Sequence, residues 1–104
     1  MEIISIDDLY QRVESLKSDE IILDVRTSDE FAEGHIKGAR NTPHEEVGSI
    51  ANELKSFKTV YVHCKMGGRA QNASETLEGK GLSNIVCVGN GGMHRWMEKG
   101  WPVE

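Results

Sequence analysis

Three short stretches rich in Val and Ile, namely Ile21 to Val25, Thr59 to His63 and Ile85 to Val88, punctuate the chain at wide intervals. Each is of strand length, and each runs directly into polar or glycine-bearing residues, which suits strands buried on both faces of a sheet. A weaker stretch, Ile3 to Ser5, reads as an edge strand. Between these runs the apolar spacing changes from every residue to every third or fourth. Such alternation of strand-like and helix-like segments predicts an α/β fold with a mainly parallel sheet.

The helix-like segments follow the same logic. Leu9, Val13 and Leu16 recur at helical spacing after Asp7-Asp8, whose charge favours a helix N-terminus. Ser28 is placed to cap a brief helix through Phe31 that ends at Gly34, and Thr42-Pro43 opens a third helix with Val47, Ile50, Ala51 and Leu54 on one face. Two further helices are expected at Arg69 to Glu78 and Gly92 to Lys99. Met93, Trp96 and Met97 form a stripe on the last one, read as core, and Gly100 with Pro102 stops it. With no repeat and no linker, residues 1–104 are read as one domain.

Composition narrows the functional classes. A chain of 104 residues, 38% apolar and 28% charged, is globular in character. A chain of this size buries roughly two thirds of the surface its unfolded form exposes. The formal charge of -5, from 17 acidic against 12 basic residues, repels phosphate backbones and anionic lipid heads, so neither nucleic acid nor a membrane is an expected partner. The start Met1-Glu2-Ile3-Ile4-Ser5 lacks the basic and apolar regions of a secretory signal, and two cysteines do not make a disulfide scaffold. A cytoplasmic location is the expectation, with one Cys64–Cys87 disulfide as the alternative use of the thiols. His35, His44, His63 and His94 form no metal-ligand spacing with the cysteines, and no metal or organic cofactor is expected.

The candidate chemistry lies where the Thr59 to His63 strand ends, in the loop Cys64-Lys65-Met66-Gly67-Gly68-Arg69 that leads into a helix. Inward N–H groups of a tight loop, a helix N-terminus and the charges of Lys65 and Arg69 all favour thiolate over thiol at Cys64. Gly67 and Gly68 allow the backbone to bend closely around one atom. Cys87, inside Ile85-Val86-Cys87-Val88 with no charge beside it, reads as a core residue.

Three ordered blocks make the chain resemble the rhodanese family. The first is Asp24-Val25-Arg26 with Glu30-Phe31, Gly34-His35-Ile36, Gly38-Ala39, Asn41 and Pro43; the second is the cysteine loop with Gly67 and Arg69; the third is Gly91-Gly92 with Trp96, Gly100 and Pro102. The resemblance implies a single rhodanese-like domain, a central, mainly parallel sheet of about five strands with helices on both faces, and Cys64 at the base of a shallow cleft. It implies sulfur transfer through a Cys64 persulfide, from thiosulfate or a persulfide donor to a thiol or cyanide. The thiol acceptor would be a small molecule or a thioredoxin-like protein. Lys65, Met66, Gly67, Gly68 and Arg69 would hold the sulfur and attract an anionic donor, whereas Asp24, Arg26 and His35 are read as structural.

Two other classes share these features. A rhodanese-like module that only binds a protein partner would be expected to have lost the cysteine or the loop, and both are intact. His63-Cys64 also resembles the start of the loop in cysteine-dependent phosphatases and arsenate reductases. Those enzymes hold five residues between cysteine and arginine to surround a tetrahedral oxyanion, whereas here Lys65 to Gly68 make four.

Overall fold

A computed structural model describes residues 1–104. Five strands form one sheet: β1 (Glu2–Ser5), β2 (Glu20–Asp24), β3 (Arg40–Asn41), β4 (Thr59–His63) and β5 (Ile85–Asn90). Their spatial order is β1-β5-β4-β2-β3, and every neighbouring pair is parallel. The helices that connect them are α1 (Ile6–Arg12), α2 (Ser28–Glu33), α3 (Ala51–Leu54), α4 (Gly68–Gly79) and α5 (Met93–Glu98).

Strand alternation sorts the apolar residues into two cores, because successive side chains leave a strand on opposite faces. Val60 and Val62 of β4 and Cys87 of β5 join Leu54, Ala73 and Leu77 on the face covered by α3 and α4. Tyr61 of β4 and Val86 and Val88 of β5 join Leu9, Met93 and Trp96 on the face covered by α1 and α5. Helices therefore cover both faces, as a buried parallel sheet requires. Met97 departs from the expected apolar stripe: Met93 and Trp96 are buried, but Met97 is 42% exposed.

Local details correct several expectations. The cap of α2 is Thr27 and not Ser28: the Thr27 hydroxyl accepts from the Glu30 N–H while the Glu30 carboxylate accepts from the Thr27 N–H, a reciprocal pair that fixes the helix start. Ser5 and Asp8 make the same arrangement at α1. The helix expected after Pro43 is a 3-10 turn over His44–Ile50 before it becomes α3. Both cysteines are free. Cys87 is in register with Val62, two residues short of Cys64, which places the two Cα atoms roughly 8 Å apart on ordinary strand spacings. That exceeds the reach of about 7 Å that a disulfide tolerates. No helix is long and apolar enough to cross a membrane.

Candidate active site

In the strand order, the chain leaves β2 towards β3 on one side and leaves β4 towards β5 on the other. The crevice beyond the carboxyl ends of β2 and β4 is thus a topological switch point, where open parallel sheets present their sites. Two segments meet there: Val25 to Thr27 after β2 and the cysteine loop after β4.

The loop after β4 is built around the sulfur of Cys64. The Gly67 N–H donates to Cys64 Sγ at 3.1 Å and the Ala70 N–H donates at 3.3 Å. Gly67 is the cap position of α4 and Ala70 lies in its first turn, so the sulfur accepts N–H groups that the helix itself leaves unpaired. No acidic residue sits in that first turn to compete for them. The sulfur occupies the place of an N-cap acceptor at the positive end of a twelve-residue helix. Residue Cys64 is only 1% exposed, so an attacking or leaving group must approach through the loop mouth.

Two glycines hold the loop from opposite sides. Gly67 has φ +119°, and a Cβ there would lie 2.3 Å from the Gly89 carbonyl oxygen of β5. A Cβ on Gly92 would lie 2.2 Å from the Cys64 carbonyl oxygen. That second approach lets the start of α5 clamp the loop: the Met93 N–H donates to the Cys64 carbonyl at 2.9 Å, and the His94 N–H to the Lys65 carbonyl at 3.2 Å. Gly68, in contrast, faces open space. Of the two glycines read as necessary from the sequence, only Gly67 is held by its surroundings.

Arg69 is tied to a partner outside the loop. Its Nη1 donates to Glu30 Oε1 at 2.7 Å and its Nη2 to Glu30 Oε2 at 3.1 Å, a two-pronged pair that joins α4 to α2. The pairing drives the Arg69 pKa up, and it brings the Glu30 carboxyl down to about 2, with Thr27 contributing further hydrogen bonds. The guanidinium is already paired within the fold. Lys65 and Met66 are exposed, and Lys65 has no ion-pair partner.

On the other wall, Asp24 and Arg26 form a buried pair. Arg26 Nε donates to Asp24 Oδ1 at 3.0 Å, and its Nη2 donates to Oδ2 and to the Gly34 carbonyl, each at 2.8 Å. Asn41 adds two bonds from its amide to the Asp24 and Arg26 carbonyls. This explains the turn after β2 as structure, and His35 agrees with that reading: it stacks on Phe31 with ring centres 3.8 Å apart and contacts the Phe31 carbonyl through Nδ1. His63, at the end of β4, is wholly buried with neither ring nitrogen hydrogen-bonded, and its Nε2 lies 3.8 Å from Asp24 Oδ2. Burial pushes its pKa down, the nearby Asp24 carboxylate only partly opposing this.

A cleft of about 570 Å³ opens beside the loop. Arg26, Glu30, Glu33 and Lys65 line one part of it, and Met93, His94, Met97 and Glu98 of α5 line the rest. Cys64 itself does not line the cleft; its chain neighbour Lys65 does, as does Met93, whose N–H holds the Cys64 carbonyl. Trp96 faces a different hollow, beside Tyr10 and Pro102. No group of His, Cys, Asp and Glu is arranged to hold a metal ion.

The sequence reading missed the Ala70 N–H, the Glu30 partner of Arg69 and the clamp at Gly92. Only the last left a trace, as the Gly91-Gly92 pair of the third block.

Comparison with known proteins agrees with this architecture. A family model described as the rhodanese-like domain matches residues 5–99. The uncharacterized protein YqhL of Bacillus subtilis is 37% identical over 75 residues, 72% of this chain and 59% of that protein. The thiosulfate sulfurtransferase GlpE of Pseudomonas putida is 31% identical over 88 residues, 85% of this chain and 78% of that protein. The crystal structure of a rhodanese-related protein from Thermoplasma volcanium superposes with a TM-score of 0.81 at 33% identity, covering 100% of this chain and 98% of the other. The chain spans about half to three fifths of the length of the Bacillus relatives it matches.

Proposed function

This chain belongs to the rhodanese-like domain family, and from that premise we propose that it is a sulfurtransferase that carries sulfane sulfur as a persulfide on Cys64. The observation that carries the reading is the pair of N–H groups, from Gly67 and Ala70, directed at Cys64 Sγ. They are fixed by the helix and need no rearrangement to meet negative charge on sulfur.

The reaction divides into two displacements. Cys64 thiolate attacks the outer sulfur of a donor, either thiosulfate or a persulfide. The donor's sulfur–sulfur bond breaks, and sulfite or a thiolate leaves with the electron pair. An acceptor thiolate or cyanide then attacks the terminal sulfur of the Cys64 persulfide and restores the Cys64 thiolate. Electrons balance within these exchanges, so the chemistry calls for no metal or organic cofactor.

The small ring suits one sulfur atom better than a phosphoryl group. Four residues separate Cys64 from Arg69, and both Arg69 prongs are engaged by Glu30. A single-turnover experiment tests the proposal. Protein loaded with thiosulfate or a small persulfide and then desalted should yield thiocyanate on addition of cyanide, in proportion to protein, and Cys64→Ser should yield none. Thiocyanate from Cys64→Ser at the wild-type level would refute it.

A further inference from the structure

The charges around the mouth of this site argue against a free dianion as its preferred substrate. Both guanidinium groups that a sulfonate could bind are occupied, Arg26 by Asp24 and Gly34 and Arg69 by Glu30. With Glu30 paired to Arg69 and Arg26 to Asp24, the charges that remain on the cleft wall are Glu33 and Glu98 against Lys65. Glu33 has no ion-pair partner, and Glu98 meets only His94, at 3.6 Å between exposed side chains. Lys65 is left as the single unpaired cation. Its chain neighbour Met66 is 62% exposed, and Met97, which lines the same cleft, is 42% exposed, both polarizable side chains of the kind that adapt to a protein surface.

We propose that Cys64 exchanges sulfur with a cysteine persulfide borne on a basic segment of a partner protein, which docks across Met66 and Met97 with its cations against Glu33 and Glu98. The inference rests on the persulfide reading above and names the carrier. In the loading direction, Cys64 thiolate attacks the outer sulfur of the partner's R–S–SH. The R–S bond breaks, the partner leaves as the thiolate R–S⁻, and Cys64 keeps S–SH. No oxidant or reductant is consumed. The formal charge of -5 on the whole chain acts in the same sense at longer range.

Two synthetic peptide persulfides, one with lysines and one with glutamates flanking the cysteine, provide the test beside thiosulfate. Loading of Cys64 is followed by intact-mass spectrometry at low and high salt. The lysine peptide should load roughly tenfold faster than the glutamate peptide at low salt, with the gap narrowing as salt screens the charges. Charge reversal in Glu33→Lys/Glu98→Lys should abolish or invert that preference and speed loading by thiosulfate. Equal loading by the two peptides, or a preference untouched by the double charge reversal, would overturn the carrier assignment while leaving the Cys64 persulfide intact. Failure of every donor to load Cys64 would overturn both.

Discussion

Replacing Gly67 by alanine, with Gly68→Ala as its comparison, separates the geometry of the loop from its mere glycine content. At Gly67 the added methyl would sit 2.3 Å from the Gly89 carbonyl oxygen and 2.9 Å from its carbon, on a backbone with φ +119°. A left-handed φ on an L-residue costs about 1–2 kcal/mol, and forcing a methyl into filled space costs about 1–3 kcal/mol. Together these give a destabilisation on the order of 2–5 kcal/mol. At Gly68 the methyl meets no atom within 4 Å, and alanine in a helix is favoured over glycine by at most about 1 kcal/mol. Urea unfolding followed by tryptophan fluorescence reads both, since Trp96 is buried against Tyr10. The Gly67→Ala midpoint should fall by roughly 1–5 M, given a slope of about 1–2 kcal/mol/M, while Gly68→Ala holds or rises. If Gly67→Ala relaxes by moving the loop, its N–H leaves Cys64 Sγ and sulfur loading should drop about 100-fold. A Gly67→Ala protein with wild-type midpoint and loading, or a Gly68→Ala protein equally damaged, would refute the reasoning.

Asp24→Asn should destabilise the chain by about 3–5 kcal/mol in thermal or urea unfolding, because Arg26, 4% exposed, is left as a buried charge without its counter-ion. Replacing both partners, Asp24→Leu with Arg26→Met, should recover much of that loss; a double variant as unstable as Asp24→Asn would show that the pair matters for more than charge. Glu30→Gln should lose about 1 kcal/mol at neutral pH from the partly exposed pair with Arg69. Since the folded Glu30 carboxyl sits at about 2 against an ordinary 4.5, the stability it confers is complete above about pH 5 and disappears as pH falls towards 2. The difference in melting temperature between wild type and Glu30→Gln should therefore close over that window, and a difference constant with pH would contradict the assignment.

The sequence was most legible where one physical signal acts alone. Thr59 to His63 coincides with β4 to the residue, and Ile85 to Val88 lies within the longer β5. Their Val- and Ile-rich runs have no competing helical period. β3 left no such mark, since Arg40 and Asn41 make a two-residue edge strand with no apolar pattern. Capping was assigned one residue late at α2 because Thr27 and Ser28 are equal as cap residues in composition. Only Glu30, three positions after Thr27, closes the reciprocal bonds. The cysteine loop was legible from local spacing, and the Asp24–Arg26 turn through the resemblance to the rhodanese family. The Arg69–Glu30 pair was not, because it joins residues 39 positions apart across two helices. That long-range contact pairs a charge that local reading had assigned to donor attraction.

The position of the transferred sulfur is the most direct test of the account. After brief exposure to a sulfane sulfur donor, intact-mass spectrometry with peptide mapping should find one added sulfur atom, all of it on the peptide containing Cys64. Cys64→Ser should gain nothing and Cys87→Ala should gain as much as wild type, since Cys87 is wholly buried and its thiol is pushed towards the protonated form by that burial. Sulfur mapped to Cys87, or equal gains in wild type and Cys64→Ser, would contradict the central claim.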